Sequence, residues 1–217
     1  MECALFDLDG TLINTEARSM AMWQLLLDEH HVDGDVRAFM GRRGRDVLPG
    51  LFPGRDVEEL IVEAFAYRDH PGLPEIVPVP GAAELVRRVV AYGSPIGLVT
   101  SAGHAWAEEL LGKVGVRGLI KVLVAAEDVD QGKPDPQGYL LAARELGADP
   151  ADCVVFEDSP AGIAAAKAAG MRCVGVTTTH TGQELAGADL VVADLTQVGW
   201  PPFDKGSSWS GPVSKEE

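Results

Sequence analysis

The sequence predicts an α/β fold, namely a Rossmann-like three-layer core with a parallel sheet and an inserted all-helical cap. From residue 80 onward, short apolar strand patterns alternate with helical patterns, which is typical of a parallel sheet with helices on both faces. Between residues 14 and 79 the apolar residues recur only at helical spacing. We therefore assign residues 1–13 and 80–200 to the catalytic core, residues 14–79 to the cap, and residues 201–217 to a polar, flexible tail.

Composition and charge narrow the classes of function. The chain has 217 residues with 46% hydrophobic and 24% charged residues, which is ordinary for a soluble globular protein. No apolar stretch approaches the roughly 20 residues of a membrane span, no signal segment opens the chain, and the three cysteines fit reduced core thiols, so we expect a cytoplasmic protein. The net charge of −15 argues against a nucleic-acid partner. It also disfavours long-range capture of an anion, so an anionic substrate would need cations within its site.

The first predicted strand, residues 3–8, carries the first candidate site residues. Asp7 and Asp9 are two residues apart, so on an extended backbone both side chains point to the same side. Two adjacent carboxylates repel each other unless a cation lies between them, and Mg²⁺ prefers such oxygen ligands. Gly10 permits a tight turn after the strand, and Thr11 adds a hydroxyl. Taken alone, this pattern would more often be an acidic turn, so its meaning depends on partners downstream.

The cap is predicted to contain three helices. The first spans residues 16–31, where Met20, Trp23, Leu26 and Leu27 form an apolar stripe at spacings of three and four. The next two span residues 36–48 and 56–68, and Pro-Gly pairs punctuate the region. No convincing strand pattern occurs between residues 14 and 78.

The core elements follow from the alternating pattern after residue 80. Predicted helices span residues 81–92, 105–114, 136–146 and 160–170. Predicted strands span residues 96–100, 122–126, 153–156, 173–177 and 190–192. The strand at 153–156 has no charged residue, as expected of a strand buried on both faces.

Polar residues follow four of these strands. Thr100 and Ser101 end one strand, Lys133 lies in the loop after the next, and Glu157 and Asp158 end a third. Ligands of such sheets bind at the carboxyl ends of the strands, where Asp7 and Asp9 also lie. Each group alone has an ordinary explanation as a helix cap, a solvated lysine or a surface carboxylate. Together they predict a carboxylate metal site beside a phosphate site built from hydroxyls and an ammonium.

These four motifs resemble those of the haloacid dehalogenase superfamily of phosphotransferases with a helical cap. The matching residues are Asp7-Leu8-Asp9-Gly10-Thr11, Thr100-Ser101, Lys133 and Glu157-Asp158, and the resemblance extends from Cys3 to about Val198. It implies that Asp7 is a nucleophile that forms an aspartyl phosphate, and that Asp9 is the general acid and then the general base.

The same resemblance implies the ligands of the site. A Mg²⁺ cofactor would bind Asp7, the backbone carbonyl of Asp9 and Asp158, with Glu157 close by. Residues Thr100 or Ser101 and Lys133 would hold the transferring phosphoryl oxygens.

Several departures distinguish the chain from other branches of the superfamily. β-Phosphoglucomutases carry a His where this chain has Ser19, and a Lys-Gly-x-x-Arg motif where it has Met40-Gly41-Arg42-Arg43-Gly44. A dehalogenase needs neither the second Asp nor a metal, and a phosphonatase needs a cap lysine, which residues 14–78 lack. The chain is instead similar to the glycerol-3-phosphate and 2-deoxyglucose-6-phosphate phosphatases at three places, namely Trp23, Gly41-Arg42-Arg43 and residues 156–163.

We therefore predict that the protein is a Mg²⁺-dependent phosphatase that hydrolyses a small phosphomonoester. The favoured substrate is a sugar or polyol phosphate. A β-phosphoglucomutase-type phosphotransferase is the alternative, and a catalytically idle binding protein on the same fold is disfavoured by the intact motifs. We expect a small phosphorylated metabolite as the partner, no nucleic acid or membrane, and a monomer or weak dimer. Within the cap, Arg43 is predicted to contact the substrate, with Arg42, Arg45 or a solvated loop as alternatives. The spacing of Trp23 also fits simple core packing.

Overall fold

A six-stranded sheet, all parallel, forms the centre of the core in the computed structural model, which describes residues 2–203. Eight strands are formed in chain order: β1 (Cys3–Phe6), β2 (Ile13–Asn14), β3 (Val77–Pro78), β4 (Ile96–Val99), β5 (Val122–Val124), β6 (Cys153–Glu157), β7 (Arg172–Val176) and β8 (Leu190–Val192). The sheet has the order β5-β4-β1-β6-β7-β8. Strand β1 therefore lies between β4 and β6, and the residues that follow it emerge in the middle of the sheet edge.

Helices cover both faces of this sheet. The chain forms α1 (Glu16–Glu29), α2 (Gly44–Leu51), α3 (Val57–Ala66), α4 (Ala82–Ala91), α5 (His104–Val114), α6 (Gln137–Leu146) and α7 (Pro160–Ala168). Alternate residues of β1 point to opposite faces, so Phe6 packs with α4 and α5 while Leu5 packs with α6 and α7. The predicted fold class is thus confirmed.

The three helices between β2 and β3 form a separate apolar cluster. Trp23 on α1 stacks on Phe39, with ring centroids 4.3 Å apart, and Leu48 and Leu60 from α2 and α3 are buried beside them. This packing agrees with the helical spacing of Trp23 in the sequence. Burial of these side chains, at about 25 cal/mol per Å² of apolar surface, holds the cap helices together.

The second cap helix differs from the prediction. Residues 36–48 do not form one helix, because a 3₁₀ turn at Val36–Phe39 is followed by a loop, and α2 begins at Gly44. Gly41 in that loop has φ +69°, and a Cβ there would collide with the hydroxyl of Ser159 in the core. Pro49 does not end α2, which continues to Leu51, although a proline there removes the hydrogen bond to the carbonyl four residues before it. The loop from Met40 to Arg43 is therefore shaped by its contact with the core.

A short antiparallel ribbon joins the cap to the core. Strand β2 pairs with β3 through Ile13 opposite Pro78 and Asn14 opposite Val77. Strands of two residues have no alternating pattern to detect, and Pro78 normally argues against a strand, so the sequence did not predict them. The chain consequently enters and leaves the cap at adjacent positions.

The end of the chain and the cysteines complete the fold. Most of the predicted flexible tail lies outside the described residues, which end at residue 203. Just before that, Trp200 is buried and donates a hydrogen bond of 3.0 Å to the Ser94 hydroxyl.

Cys3, Cys153 and Cys173 are buried free thiols. Within residues 2–203, no helix is both long and apolar enough to cross a membrane.

The packing of the core predicts that truncation of two different leucines will change the free energy of unfolding by very different amounts. Leu85 on α4 is 0% exposed and Leu140 on α6 is 40% exposed. Leu85→Ala should lower the free energy of unfolding by about 2–5 kcal/mol, because it leaves a cavity. Leu140→Ala is the matched control and should change it by less than about 1 kcal/mol. Urea unfolding of the two variants measures this, and equal losses would contradict the packing described.

Candidate active site

A buried lysine bridges two carboxylates at the carboxyl end of the sheet. Asp7 directly follows β1, where its backbone N–H donates to the carbonyl of Phe156 on β6 (3.0 Å). The Lys133 Nζ lies 2.5 Å from Asp7 Oδ1 and 2.5 Å from Glu157 Oε1. Asp7 and Lys133 are only 5% and 7% exposed. The ammonium thus fixes the orientation of Asp7, which is largely buried.

Glu157 is held by several further donors. The Tyr139 hydroxyl donates to Oε1 (2.8 Å), while the Ser159 hydroxyl and the backbone N–H groups of Asp158 and Ser159 donate to Oε2. Gly162 leaves the space that this carboxylate occupies, since a Cβ there would overlap it. Both oxygens of Glu157 are therefore engaged, and its main role in this geometry is to hold Lys133.

The protonation states follow from burial and charge. Burial raises the pKa of Asp7, and the positive charge of Lys133 opposes that rise. Burial favours the neutral amine of Lys133, but the attraction of Asp7 and Glu157 outweighs it and raises the pKa of Lys133. Burial, reinforced by the charge of Glu157, raises the pKa of Tyr139 well above its usual value. Lys133 is thus a fixed cation, and Tyr139 stays a hydrogen-bond donor.

Three carboxylates come close enough to hold a metal ion. One oxygen from each of Asp7, Glu157 and Asp158 lies within 4.8 Å of the other two, and all three residues are buried. Burial and then the negative charges of Asp7 and Glu157 raise the pKa of Asp158 well above its usual range. A cation would relieve this repulsion, and hard oxygen donors fit Mg²⁺. The side chain of Asp9 is not in this cluster, and metal binding by its backbone carbonyl stays a prediction.

Asp158 is positioned by its neighbours on two loops. Hydroxyls of Thr11 (3.3 Å) and Thr179 donate to its two carboxylate oxygens. Gly10, with φ +87°, turns the chain away from β1, and a Cβ at Gly10 would collide with the Asp158 carboxylate. The Gly predicted for a tight turn therefore also makes room for a candidate metal ligand.

Asp9 has different surroundings from Asp7. The Thr15 hydroxyl donates to Asp9 Oδ1 (2.6 Å), and the Thr100 hydroxyl lies 3.4 Å from Oδ2. Burial raises the pKa of Asp9, and hydrogen bonding from Thr15, Trp106 and Thr100 partly offsets the rise. A raised pKa suits a carboxyl group that begins a reaction carrying a proton.

A cavity of about 720 Å³ lies between the cap and the core. Asp7, Asp9, Thr100 and Ser101 line it, and Lys133 lines a small recess that also borders Thr100 and Ser101. Its other walls include apolar side chains, namely Phe39, Ile61, Val62 and Phe65 from the cap and Trp106 from the core. A volume of this size is typical of sites that enclose a small organic molecule.

The predicted substrate residue Arg43 contacts the core. Its guanidinium donates to the carbonyls of Val129 (2.7 Å) and Asp130 (2.9 Å), and it pairs with both oxygens of Asp46. These bonds make Arg43 a clasp between the cap and the core loop, and they engage its donors. Arg42 and Arg45 are exposed and line the cavity, with Arg45 3.3 Å from Glu58. Substrate contact by Arg43 therefore stays a prediction.

Sequence reasoning missed three side chains of the site. Glu16, at the start of α1, lines the cavity and is only 8% exposed. Tyr139 looked like an apolar position of α6, and Trp106 had no motif to distinguish it. The only signal for Glu16 was its place directly after the strand–turn motif, where an acidic residue also suits the first turn of a helix.

Comparison with known proteins identifies the family of this site. Residues 4–176 match the model of the family described as haloacid dehalogenase-like hydrolase. The chain belongs to this family. The predicted recognition and the prediction of a hydrolase are thereby confirmed.

Individual relatives support the assignment. The chain is 45% identical over 204 residues to validoxylamine A 7'-phosphate phosphatase from Streptomyces hygroscopicus subsp. limoneus, covering 91% of this chain and 96% of that protein. It is 34% identical to 2-deoxyglucose-6-phosphate phosphatase 2 from Saccharomyces cerevisiae, covering 91% and 89%. A crystal structure of β-phosphoglucomutase from Clostridium difficile shares the fold, with a TM-score of 0.80, 24% identity, and 93% and 94% of the two chains covered.

The surroundings of Glu16 predict a pH-dependent gain in stability on removing its charge. Burial, and then the negative charges of Asp9, Asp7 and Glu157, raise the pKa of Glu16 to about 8. A carboxyl group whose pKa is higher in the folded state stabilises the fold at low pH and loses that contribution as the pH rises through about 8. Glu16→Gln should therefore match the wild type in Tm near pH 5 and exceed it increasingly up to pH 9.

Thermal unfolding across this range in EDTA tests the expectation. Glu59→Gln removes an exposed charge from the cap and serves as the control, with little change at any pH. A Tm difference for Glu16→Gln that does not vary with pH would contradict the assigned environment.

Proposed function

We propose that this chain is a Mg²⁺-dependent phosphatase that hydrolyses a sugar or polyol phosphate through an aspartyl-phosphate intermediate. The observation that carries the proposal is the pairing of two carboxyl groups, Asp7 and Asp9, in different environments at one end of a cavity. Lys133 holds the first, and hydroxyls hold the second. The names of the two phosphatase relatives support the substrate class.

Asp7 is the proposed nucleophile. Its Oδ1 accepts the hydrogen bond from Lys133, while no donor to Oδ2 occurs among residues 2–203. Oδ2 attacks phosphorus in line, and the bond between phosphorus and the leaving oxygen breaks as the new O–P bond forms. The Lys133 ammonium balances charge on the phosphoryl oxygens, and the hydroxyls of Thr100 and Ser101, which here donate to Asp9 and to the Gly41 carbonyl, would turn toward them.

Asp9 is the proposed proton carrier. It gives its proton to the leaving oxygen, and then takes a proton from the water that cleaves the aspartyl phosphate and releases inorganic phosphate. Its hydrogen bonds to Thr15 and Thr100 fix the carboxyl group for both steps. The raised pKa of Asp9 favours the protonated form that the first step requires.

The carboxylate cluster is the proposed Mg²⁺ site. Asp7, Asp158 and the backbone carbonyl of Asp9 would hold the ion, with Glu157 tied back by Lys133 and Tyr139. When bound, Mg²⁺ supplies positive charge that offsets the carboxylates and the substrate phosphate. The protein residues would then supply the nucleophile, orient the phosphate and move protons.

Hydrolysis is favoured over phosphoryl transfer between sugars. Ser19, which stands where the mutases carry a His, lines the cavity and offers only a hydroxyl there. Because the three cysteines are buried free thiols, we also propose a cytoplasmic location, and we retain the expectation of a monomer or weak dimer.

Phosphate release tests the proposed function directly. The wild type should release phosphate from 2-deoxyglucose 6-phosphate and p-nitrophenyl phosphate with Mg²⁺, lose this activity in EDTA, and recover it when Mg²⁺ is added back. Asp7→Asn should abolish turnover while retaining the far-UV circular dichroism of the wild type. Full turnover in EDTA, or substantial turnover by Asp7→Asn, would refute the metal site or the nucleophile respectively.

The contacts of Arg43 predict how its removal affects two substrates. If Arg43 holds the cap closed, Arg43→Ala should lower kcat/KM for both 2-deoxyglucose 6-phosphate and p-nitrophenyl phosphate, by roughly 1–3 kcal/mol in each case. If Arg43 instead donates hydrogen bonds to hydroxyls of the substrate, its removal should lower kcat/KM only for the sugar phosphate. Arg55→Ala, at an exposed position outside the cavity whose side-chain contact is with His30 of the cap itself, is the control and should change neither.

A further inference from the structure

We propose that Glu16 is a specificity-determining residue that accepts hydrogen bonds from hydroxyl or ammonium groups of the leaving group beside the scissile oxygen. The substrate is then a phosphate ester of a neutral or cationic polyol, and phosphorylated hydroxy acids of the phosphoglycolate type are rejected. This inference rests on the proposed phosphatase function and specifies its substrate class.

The position of Glu16 places it beside the reacting groups. It follows Thr15, whose hydroxyl holds Asp9, and it is the first residue of α1. Its side chain borders the same cavity as Asp7 and Asp9. A leaving group whose oxygen receives a proton from Asp9 would therefore have its next atoms near Glu16.

The carboxyl group of Glu16 has no hydrogen-bond donor within the part of the chain that the structure describes, although it is nine-tenths buried. Every other acidic side chain of the site described above is engaged by a lysine or a hydroxyl: Asp7 by Lys133, Asp9 by Thr15, and Asp158 by Thr11 and Thr179. No fully buried side-chain oxygen lacks a hydrogen-bond partner among the described residues, so the oxygens of Glu16 are reached from the cavity that its side chain borders. They are therefore free to accept hydrogen bonds from a ligand in that cavity.

Helix stabilisation does not account for this placement. An acidic residue in the first turn stabilises a helix, as Glu58 and Glu59 do at the start of α3, but both of those side chains are exposed. Glu16 is instead buried among Asp7, Asp9 and Glu157, where like charges oppose it. The first-turn benefit is typically below about 1 kcal/mol and is available at the surface.

The chemistry of Glu16 also defines what the site rejects. A carboxyl group offers acceptor oxygens whether or not it is protonated, so it suits hydroxyl and ammonium donors. A leaving group with its own carboxylate beside the phosphoester carbon would set acceptor oxygens against the acceptor oxygens of Glu16 and a negative charge against the carboxylate of Asp7. Such repulsion excludes a competitor as effectively as attraction selects a substrate.

Three small phosphoesters of similar size test this selectivity. Glycerol 1-phosphate has a hydroxyl beside the phosphoester carbon, O-phosphoethanolamine has an ammonium, and phosphoglycolate has a carboxylate. p-Nitrophenyl phosphate offers no donor. Steady-state kinetics with Mg²⁺ would compare the wild type with Glu16→Gln, Glu16→Ala and the exposed-site control Glu59→Gln.

The wild type should favour the first two esters over phosphoglycolate by at least about 10-fold in kcat/KM. Glu16→Ala should lower kcat/KM for glycerol 1-phosphate by about 10- to 100-fold, mostly through KM, and change p-nitrophenyl phosphate by less than about 2-fold. Glu16→Gln keeps an acceptor oxygen and removes the titratable carboxyl group. It should therefore raise kcat/KM for phosphoglycolate relative to kcat/KM for glycerol 1-phosphate. Glu59→Gln should leave all ratios unchanged.

The outcomes separate the two proposals. If both Glu16 variants hydrolyse p-nitrophenyl phosphate but keep the wild-type ratios among the three esters, the role of Glu16 is overturned and the phosphatase function stands. Equal losses on all four substrates would likewise overturn it, since they would mark a structural role. If the wild type releases phosphate from none of the four, the proposed function fails, and this inference fails with it.

Discussion

The two-sided ion pair of Lys133 is the constraint on which the site depends. Its ammonium lies between Asp7 and Glu157 at 2.5 Å from each, in an environment where neither charge is well solvated. Removing a single member of such a buried group leaves the others uncompensated, at a typical cost of about 3–5 kcal/mol. The surrounding structure serves this group, since Tyr139 and Ser159 complete the hydrogen bonding of Glu157 and Gly162 leaves it space.

Lys133 compensates only part of the negative charge at the end of the sheet. Asp158 joins the same cluster, and Asp9 and Glu16 face the cavity beside it. Such an accumulation opposes folding, and its persistence in a stable core is typical of sites whose chemistry requires the charge. Binding of a phosphate by a chain with a net charge of −15 would depend on positive charges that act locally, namely the Lys133 ammonium and a cation held by the carboxylate cluster, rather than on the whole surface.

Several contacts join the cap to the core around the cavity. Arg43 bonds to the core loop, the Ser101 hydroxyl donates to the Gly41 carbonyl (3.1 Å), and Arg68 lies over the Trp106 ring at 5.4 Å. Trp106 in turn interacts with Asp9. The position of the cap is thus coupled to the proposed acid, and closure would bring the cavity walls and the proton carrier into place together.

Much of this arrangement could be read from the sequence, and the exceptions have physical causes. The parallel sheet and the four motifs were accessible because buried strands and their polar ends leave local patterns, as at Asp7 and Glu157. The break at Gly41 and the clasp of Arg43 were not, because both depend on contacts with the core more than 80 residues away, such as the carbonyls of Val129 and Asp130. Glu16 was missed because burial, rather than residue type, distinguishes it from an ordinary first-turn glutamate.

The ribbon of β2 and β3 has a consequence for how such enzymes diversify. Because Ile13 lies opposite Pro78, the insert begins and ends at neighbouring points, and the sheet has the same connectivity whatever is placed between them. An exchange of the entire cap would therefore leave the strand order of the sheet unchanged, and with it the positions of Asp7, Lys133 and Glu157. Thr15 and Glu16 lie just beyond the junction, on the exchanged side. A lineage that acquires a new cap would thus have to supply a new hydroxyl partner for Asp9 along with a new pocket shape.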